Sequence, residues 1–253
     1  MDNFNIAGRA TKDVWTNGSD EKAATVARGT LAVSRPGSTK DNPKTDFIKF
    51  RIIGPAAETA RKCFKKGTQI GITGRLEVDS YEKDGEKKTI AEVVTPTFEF
   101  ISGTGANVNN GNLIARLVRD PEEIKNSKGE VVGCRMTVAT DRPRRSKDAE
   151  EKTDFIKVTV FGKQAEPCLR YLAKGRQVTI DGRINAESYE KDGKWYDSVS
   201  VIASNVKFMG DGKKDEEEKK ENDTAEQFAA ENPIENLDDI DDLAGIDEED
   251  IPF

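Results

Sequence analysis

The strongest constraint on this chain is that it contains itself twice. "DFIKFRIIGPAAETARKCFKKGTQIGITGRLEVDSYEKDG" (46–85) and "DFIKVTVFGKQAEPCLRYLAKGRQVTIDGRINAESYEKDG" (154–193) align without a gap at an offset of 108, with 19 of 40 positions identical. A period of that length is too long for a solenoid and suits a duplicated, independently folding domain. The stretch "SGTGANVNNGN" (102–112) is rich in glycine and asparagine and reads as a flexible joint. The expected organisation is a first domain over 1–102, a linker over 103–111, a second domain over 112–210 and a tail over 211–253.

Each copy is patterned mostly with period two. "FIKVTVF", "RQVTIDGRI" and "YDSVSVIASNVKF" alternate, and turn residues such as "EKDGK" bound them. One helical stretch, "KQAEPCLRYLAKG", places Ala165, Cys168, Leu169 and Leu172 on one face and is expected to stop at Gly175 through a left-handed cap. The resulting order is three strands, a helix and two strands. That is the order of a five-stranded OB barrel plugged by a helix between its third and fourth strands, so the expected fold is all-β: two tandem OB-fold barrels, each with one short helix.

Alternation also assigns the faces. In the second copy Ile156, Val158 and Val160 point inward, and Phe155, Lys157, Thr159 and Phe161 point outward. Along the next strand Val178, Ile180 and Ile184 begin the inner set; Thr179, Arg183 and, without a bulge, Tyr189 belong to the outer one, with Tyr196 outward on the last strand. The first copy repeats the arrangement with Phe47, Lys49, Arg51, Arg75 and Tyr81. Aromatics interleaved with cations on one barrel face suit unstacked bases and the phosphates between them. The competing reading is that such a phenylalanine packs under a loop or at a subunit interface, and that Arg75 and Arg183 are structural ion-pair partners. Trp15 and Trp195 read as rim or core residues.

Between the second and third strands of each copy lies a polar arm, "AVSRPGSTKDNPKTD" (32–46) with Arg35, Lys40 and Lys44, and "ATDRPRRSKDAEEKTD" (139–154) with Arg142, Arg144, Arg145 and Lys147. Basic arms of this length can fold over a phosphate backbone.

Charge separates body from tail. Residues 211–253 carry 18 acidic and 4 basic side chains, net -14, which leaves net +7 on residues 1–210. A basic body favours a polyanionic partner, because each neutralised phosphate releases counterions. The tail is too charged and too poor in apolar residues to bury a core and is expected to be disordered. It closes on "EEDIPF", whose Asp250, Ile251, Pro252 and Phe253 form a compact acidic and apolar hook suited to docking on a partner protein.

The second copy resembles the bacterial and phage single-stranded DNA-binding protein family. The resemblance rests on "NLIARLVRDPE", "TDFIKVTVFGKQAE", "YLAKGRQVTIDGRINAESYEKDG" and "VSVIASNVKFM"; it covers 112–209 well and 3–101 more weakly. It implies sequence-independent binding and protection of single-stranded DNA in replication, recombination and repair. Base stacking would fall on Phe155, Phe161 and Tyr189, with Phe47 and Tyr81 as first-copy counterparts. It further implies recruitment of partner enzymes through the acidic tip, and a homodimer that restores the four barrels of one-barrel tetrameric members. Ile53 departs from the pattern by standing where the second copy has Phe161, and neither arm carries the aromatic that some members place there. The first barrel is therefore expected to bind more weakly or to serve mainly in assembly.

An enzyme is not expected, since the chain has no histidine, no phosphate-cradling glycine loop and no serine elbow. Cys63, Cys134 and Cys168 are odd in number and set in apolar patterns, which suits small core residues rather than disulfides or a metal site. No cofactor is implied. The start "MDNFNIAGRATKDVW" lacks the pattern of a secretory signal and no apolar run has membrane-spanning length, so a cytoplasmic, nucleoid-associated protein is expected. The rival readings are an RNA-binding or replication-restart OB protein using the same face, and an interaction scaffold that has lost DNA binding.

Overall fold

The computed structural model describes residues 2–19, 22–39, 41–83, 86–102, 107–143, 151–191 and 194–210; the side chains of 81–83, 86–88, 188–191 and 194–196 lie outside this description. The chain forms two compact units, one built from Asp2–Gly111 with Ile184–Val199, the other from Asn112–Arg183 with the described residues from Ser200 on. The hairpin tip of the second repeat thus belongs to the same unit as the first repeat.

The first repeat folds as β1 (Asp2–Ala10), β2 (Trp15–Thr16), β3 (Val26–Ser34), β4 (Thr45–Ile53), α1 (Ala56–Cys63), β5 (Gln69–Lys83), β6 (Glu86–Thr95) and β7 (Glu99–Phe100). Antiparallel pairings β1–β3, β3–β4, β5–β6 and β1–β5, with a parallel β4–β6 pairing, close five strands into a barrel without a free edge. Along β4 the inward residues Ile48, Phe50 and Ile52 are buried, as alternation requires. Helix α1 plugs the barrel with Ala57 and Ala60, and Phe64 follows it into an edge-to-face cluster 4.5 Å from Phe98 and 5.7 Å from Phe100. Burying the Phe64 ring contributes about 1.5–3 kcal/mol.

The second repeat gives β8 (Val108–Leu117), β9 (Glu122–Lys125), β10 (Val131–Asp141), β11 (Thr153–Phe161), a 3-10 turn (Gly162–Gln164), α2 (Ala165–Tyr171), β12 (Gln177–Lys191) and β13 (Lys194–Met209). Its ring runs β8-β12-β13-β11-β10, closed by the β8–β10 pairing, with β11–β13 parallel as in the first barrel. One close approach recurs: a Cβ on Gly74 would meet the Val94 carbonyl oxygen at 2.3 Å, and one on Gly182 would meet the Ile202 carbonyl oxygen at 2.3 Å. Only glycine lets these strands touch there.

The expected strand-helix order holds in both repeats, with short strands β2, β7 and β9 added to it. Three details differ from expectation. Helix α2 ends at Tyr171 because Leu172 turns extended (φ -91°, ψ 141°); Gly175 is left-handed (φ 89°) but belongs to a later turn, where its N–H donates to the Leu117 carbonyl. The C-terminal part of the expected linker is already strand, since β8 starts at Val108; residues 103–106 lie outside the described residues. Cys134 and Cys168 are buried as expected, but Cys63 is exposed at the end of α1. The tail from 211 lies outside the described residues. Among the described residues no helix is long and apolar enough to cross a membrane.

Candidate nucleic-acid interface

Strand β11 carries the site in the second barrel. Asp154, Ile156, Val158 and Val160 are buried, which fixes the register and turns Phe155 and Lys157 outward. Phe155 is 55% exposed, an unusual cost for an aromatic ring that has buried neighbours on both sides. Lys157 is exposed and has no ion pair among the described residues. Phe161 is half-buried; it stands opposite Gly133, and a Cβ on that glycine would meet the Phe161 ring at 3.0 Å, so the ring packs close against the β10 backbone there. Thr159 lies between them on the same face.

The first barrel repeats the geometry with different electrostatics. Phe47 on β4 is 56% exposed, matching Phe155. Lys49 pairs with Asp197, which belongs to the same compact unit. Arg51 is enclosed by carboxylates: Glu77 at 2.6 Å, Glu92 at 3.3 Å and Asp79 at 3.7 Å. Arg75 pairs with Asp2 at 3.1 Å, and Asp2 also accepts the Leu76 N–H at 2.8 Å. The cations of this face are therefore largely neutralised from within.

Arg183 falls on the outer parity of β12 yet is only 5% exposed, and its neighbours Ile184 and Asn185 are buried too. Arg142 is likewise turned inward. It grips the buried Asp154, with Nη2 donating to Oδ1 at 2.6 Å and Nε to Oδ2 at 2.8 Å; Arg35 reaches the buried Asp46 with Nη2 and Nε both at Oδ1, at 3.0 and 3.2 Å. These arginines anchor the base of each arm, where the Arg35 N–H also reaches the Lys44 carbonyl and the Arg142 N–H the Lys152 carbonyl. Tyr81, Tyr189 and Tyr196 lie on β5, β12 and β13, with side chains outside the described residues; Lys40, Arg144, Arg145, Lys147 and Asp250 to Phe253 also lie outside them.

Sequence patterning missed a cluster on the first barrel. Trp15 is 58% exposed, with the Arg28 guanidinium 5.9 Å from its ring centroid. Glu92 sits beneath, 3.3 Å from both Arg28 and Arg51. Burial pushes the Glu92 carboxyl above the usual glutamate range, and the two arginines pull the other way. No local signal marks this cluster, since it forms only when β2, β3, β4 and β6 stand side by side.

A closed barrel with a plugging helix and an outward strip of aromatics and cations defines an OB-fold module of the oligonucleotide-binding type. The Single-strand binding protein family is matched over residues 1–101 and again over 108–209, and this chain belongs to that family. It is 34% identical over 151 residues to single-stranded DNA-binding protein 2 of Clostridium acetobutylicum, covering 58% of this chain and 100% of that one. The single-stranded DNA-binding protein of Clostridium tetani is 44% identical over 111 residues, or 42% of this chain and 74% of that one. In fold, the chain is similar to the wild-type single-stranded DNA binding protein from Thermus aquaticus, with a TM-score of 0.65 at 22% identity over 85% of this chain and 96% of that one.

Proposed function

We propose that the chain binds single-stranded DNA without regard to sequence, bases stacking on Phe155, Phe161 and Tyr189 while Lys157, Arg144 and Arg145 meet the phosphates. The observation that carries this reading is the outward Phe155 beside Lys157, which has no ion pair among the described residues; Phe47 and Lys49 stand at the same positions in the first barrel, where Lys49 is paired with Asp197. Aromatic faces accept any base, so the binding tolerates sequence. Phe47 and Tyr81 offer the same function in the first barrel, where the carboxylates around Arg51 and the pair on Lys49 reduce the attraction for phosphate. Arg75 and Arg183 then act as structural residues, the first through Asp2 and the second through its burial.

The protein acts in replication, recombination and repair, and presents Asp250, Ile251, Pro252 and Phe253 to enzymes of those processes. This is supported by the family membership and by the contrast between an acidic tail and a basic body. Two barrels per chain favour a homodimer carrying four, working in the cytoplasm on the nucleoid. Sedimentation of the purified full chain with and without oligo-dT tests the reading: a dimer that shifts as one complex is expected, and a chain that ignores oligo-dT but shifts with oligo-rU would instead favour RNA.

A further inference from the structure

The register places one row of side chains across the outside of the first barrel. Trp15 on β2 stands opposite Arg28 on β3, Arg28 opposite Arg51 on β4, and Glu77 on β5 opposite Glu92 on β6. We infer that Trp15, Arg28 and Arg51 form a nucleotide subsite, with the base on the indole and the phosphate on the two guanidinium groups, and that Glu92 occupies the phosphate position until nucleic acid displaces it. This rests on the single-strand reading above and adds to it a site on β2 and β3.

Three observations carry the inference. The indole is presented to solvent with a cation already over its face, the arrangement that a base and its phosphate would extend. Glu92 bridges both arginines at 3.3 Å through ion pairs alone, and the buried Arg51 Nε has no hydrogen-bond partner among the described residues. A nearly buried carboxylate held without hydrogen bonds is a weak lock, because its desolvation is incompletely offset. A phosphate approaching from solvent brings more acceptor oxygens than one carboxylate and keeps part of its hydration.

The second barrel keeps an arginine at the Arg28 position, Arg135, but lacks the other parts of the lock. Thr159 stands at the Arg51 position, Ser200 at the Glu92 position, and Glu122 faces Arg135 where Trp15 faces Arg28. The first barrel in turn lacks the aromatic that Phe161 supplies, having Ile53 there. Trp15 lies two strand spacings from β4, about 10 Å, and so restores an aromatic beside the position where one was lost.

The test uses the full chain with Trp195→Phe, which leaves Trp15 as the only tryptophan. Oligo-dT carrying a fluorophore reports binding through its anisotropy, and Trp15 emission and its accessibility to acrylamide report the subsite. The expected result is that Trp15 emission falls and the indole becomes protected as the anisotropy rises. Glu92→Gln in this chain should tighten binding at low salt and steepen the log K against log salt slope by about 0.7 for each phosphate newly held. Arg28→Gln, at a half-exposed position, should reduce the Trp15 response even if the Glu92 variant folds poorly. Saturating anisotropy with unchanged Trp15 emission and accessibility would overturn the subsite while leaving single-strand binding intact. No anisotropy change at all would overturn the single-strand reading and the subsite with it.

Discussion

Arg142 holds Asp154 by two hydrogen bonds of 2.6 and 2.8 Å in a place where the carboxylate side chain has no solvent exposure. The pair ties the two ends of the second arm together at its root. Removing the guanidinium strands a buried charge, so Arg142→Ala should lower the unfolding free energy by about 3–5 kcal/mol. Denaturant titration followed by circular dichroism checks this. Replacing Arg144 and Arg145 together should instead leave the unfolding midpoint unchanged and flatten the salt dependence of oligo-dT binding by about 0.7 in slope per lost phosphate contact.

Barrel closure depends on the bare backbone of Gly182 and Gly74. A methyl at either position meets a carbonyl oxygen at 2.3 Å, and that oxygen belongs to a paired strand which cannot yield cheaply. Gly182→Ala should destabilise the chain by about 1–3 kcal/mol or more. Gly129→Ala, at a turn with open space but φ 81°, should cost less, since only backbone strain opposes it. Thermal unfolding of the two variants side by side gives the comparison.

Glu58 sets an acid-side limit on stability. Its carboxylate takes hydrogen bonds from Arg61 and from the Ala24 N–H, which hold its pKa down to about 2. The unfolded chain titrates this group near 4.5, so the native state binds fewer protons between those values. The contribution is therefore complete above about pH 4.5 and is lost as the pH falls towards about 2. In Glu58→Gln that part of the acid dependence of the melting temperature should vanish, as melting curves between pH 2 and pH 6 would record.

The parts of the molecule that could be read in the sequence are those set by local period. Ile156, Val158 and Val160 announce their face because strand side chains alternate, and Phe155 and Lys157 follow from it. Parity does not report depth: Arg183 has the outer parity of its strand but is only 5% exposed. Nor does it report partners from distant strands, which is why the enclosure of Arg51 by Glu77 and Glu92 had no sequence signature. Trp15 was ambiguous for a third reason, since β2 is two residues long and offers no alternation to read. Local pattern also does not fix where α2 stops: Leu172 leaves the helix three residues before Gly175, whose left-handed backbone serves a later turn.

The tip can be tested apart from the barrels. Deleting residues 245–253 should leave oligo-dT affinity unchanged or slightly tighter at low salt, since the net -14 tail would otherwise compete for the basic body. It should also abolish capture of replication and repair enzymes. Phe253→Ala should lose that capture while leaving DNA affinity alone. Full recruitment by the truncated chain would refute the hook.

The most direct measurement for the central claim is the affinity of folded Phe155→Ala for oligo-dT, set against the unaltered chain at one salt concentration. Circular dichroism and melting should match closely, because the ring is more than half exposed. Stacking predicts a loss of about 1–3 kcal/mol that is similar for oligo-dT and oligo-dA. Equal affinity in a folded variant would contradict the account, because Phe155 would then be an exposed ring with no base upon it.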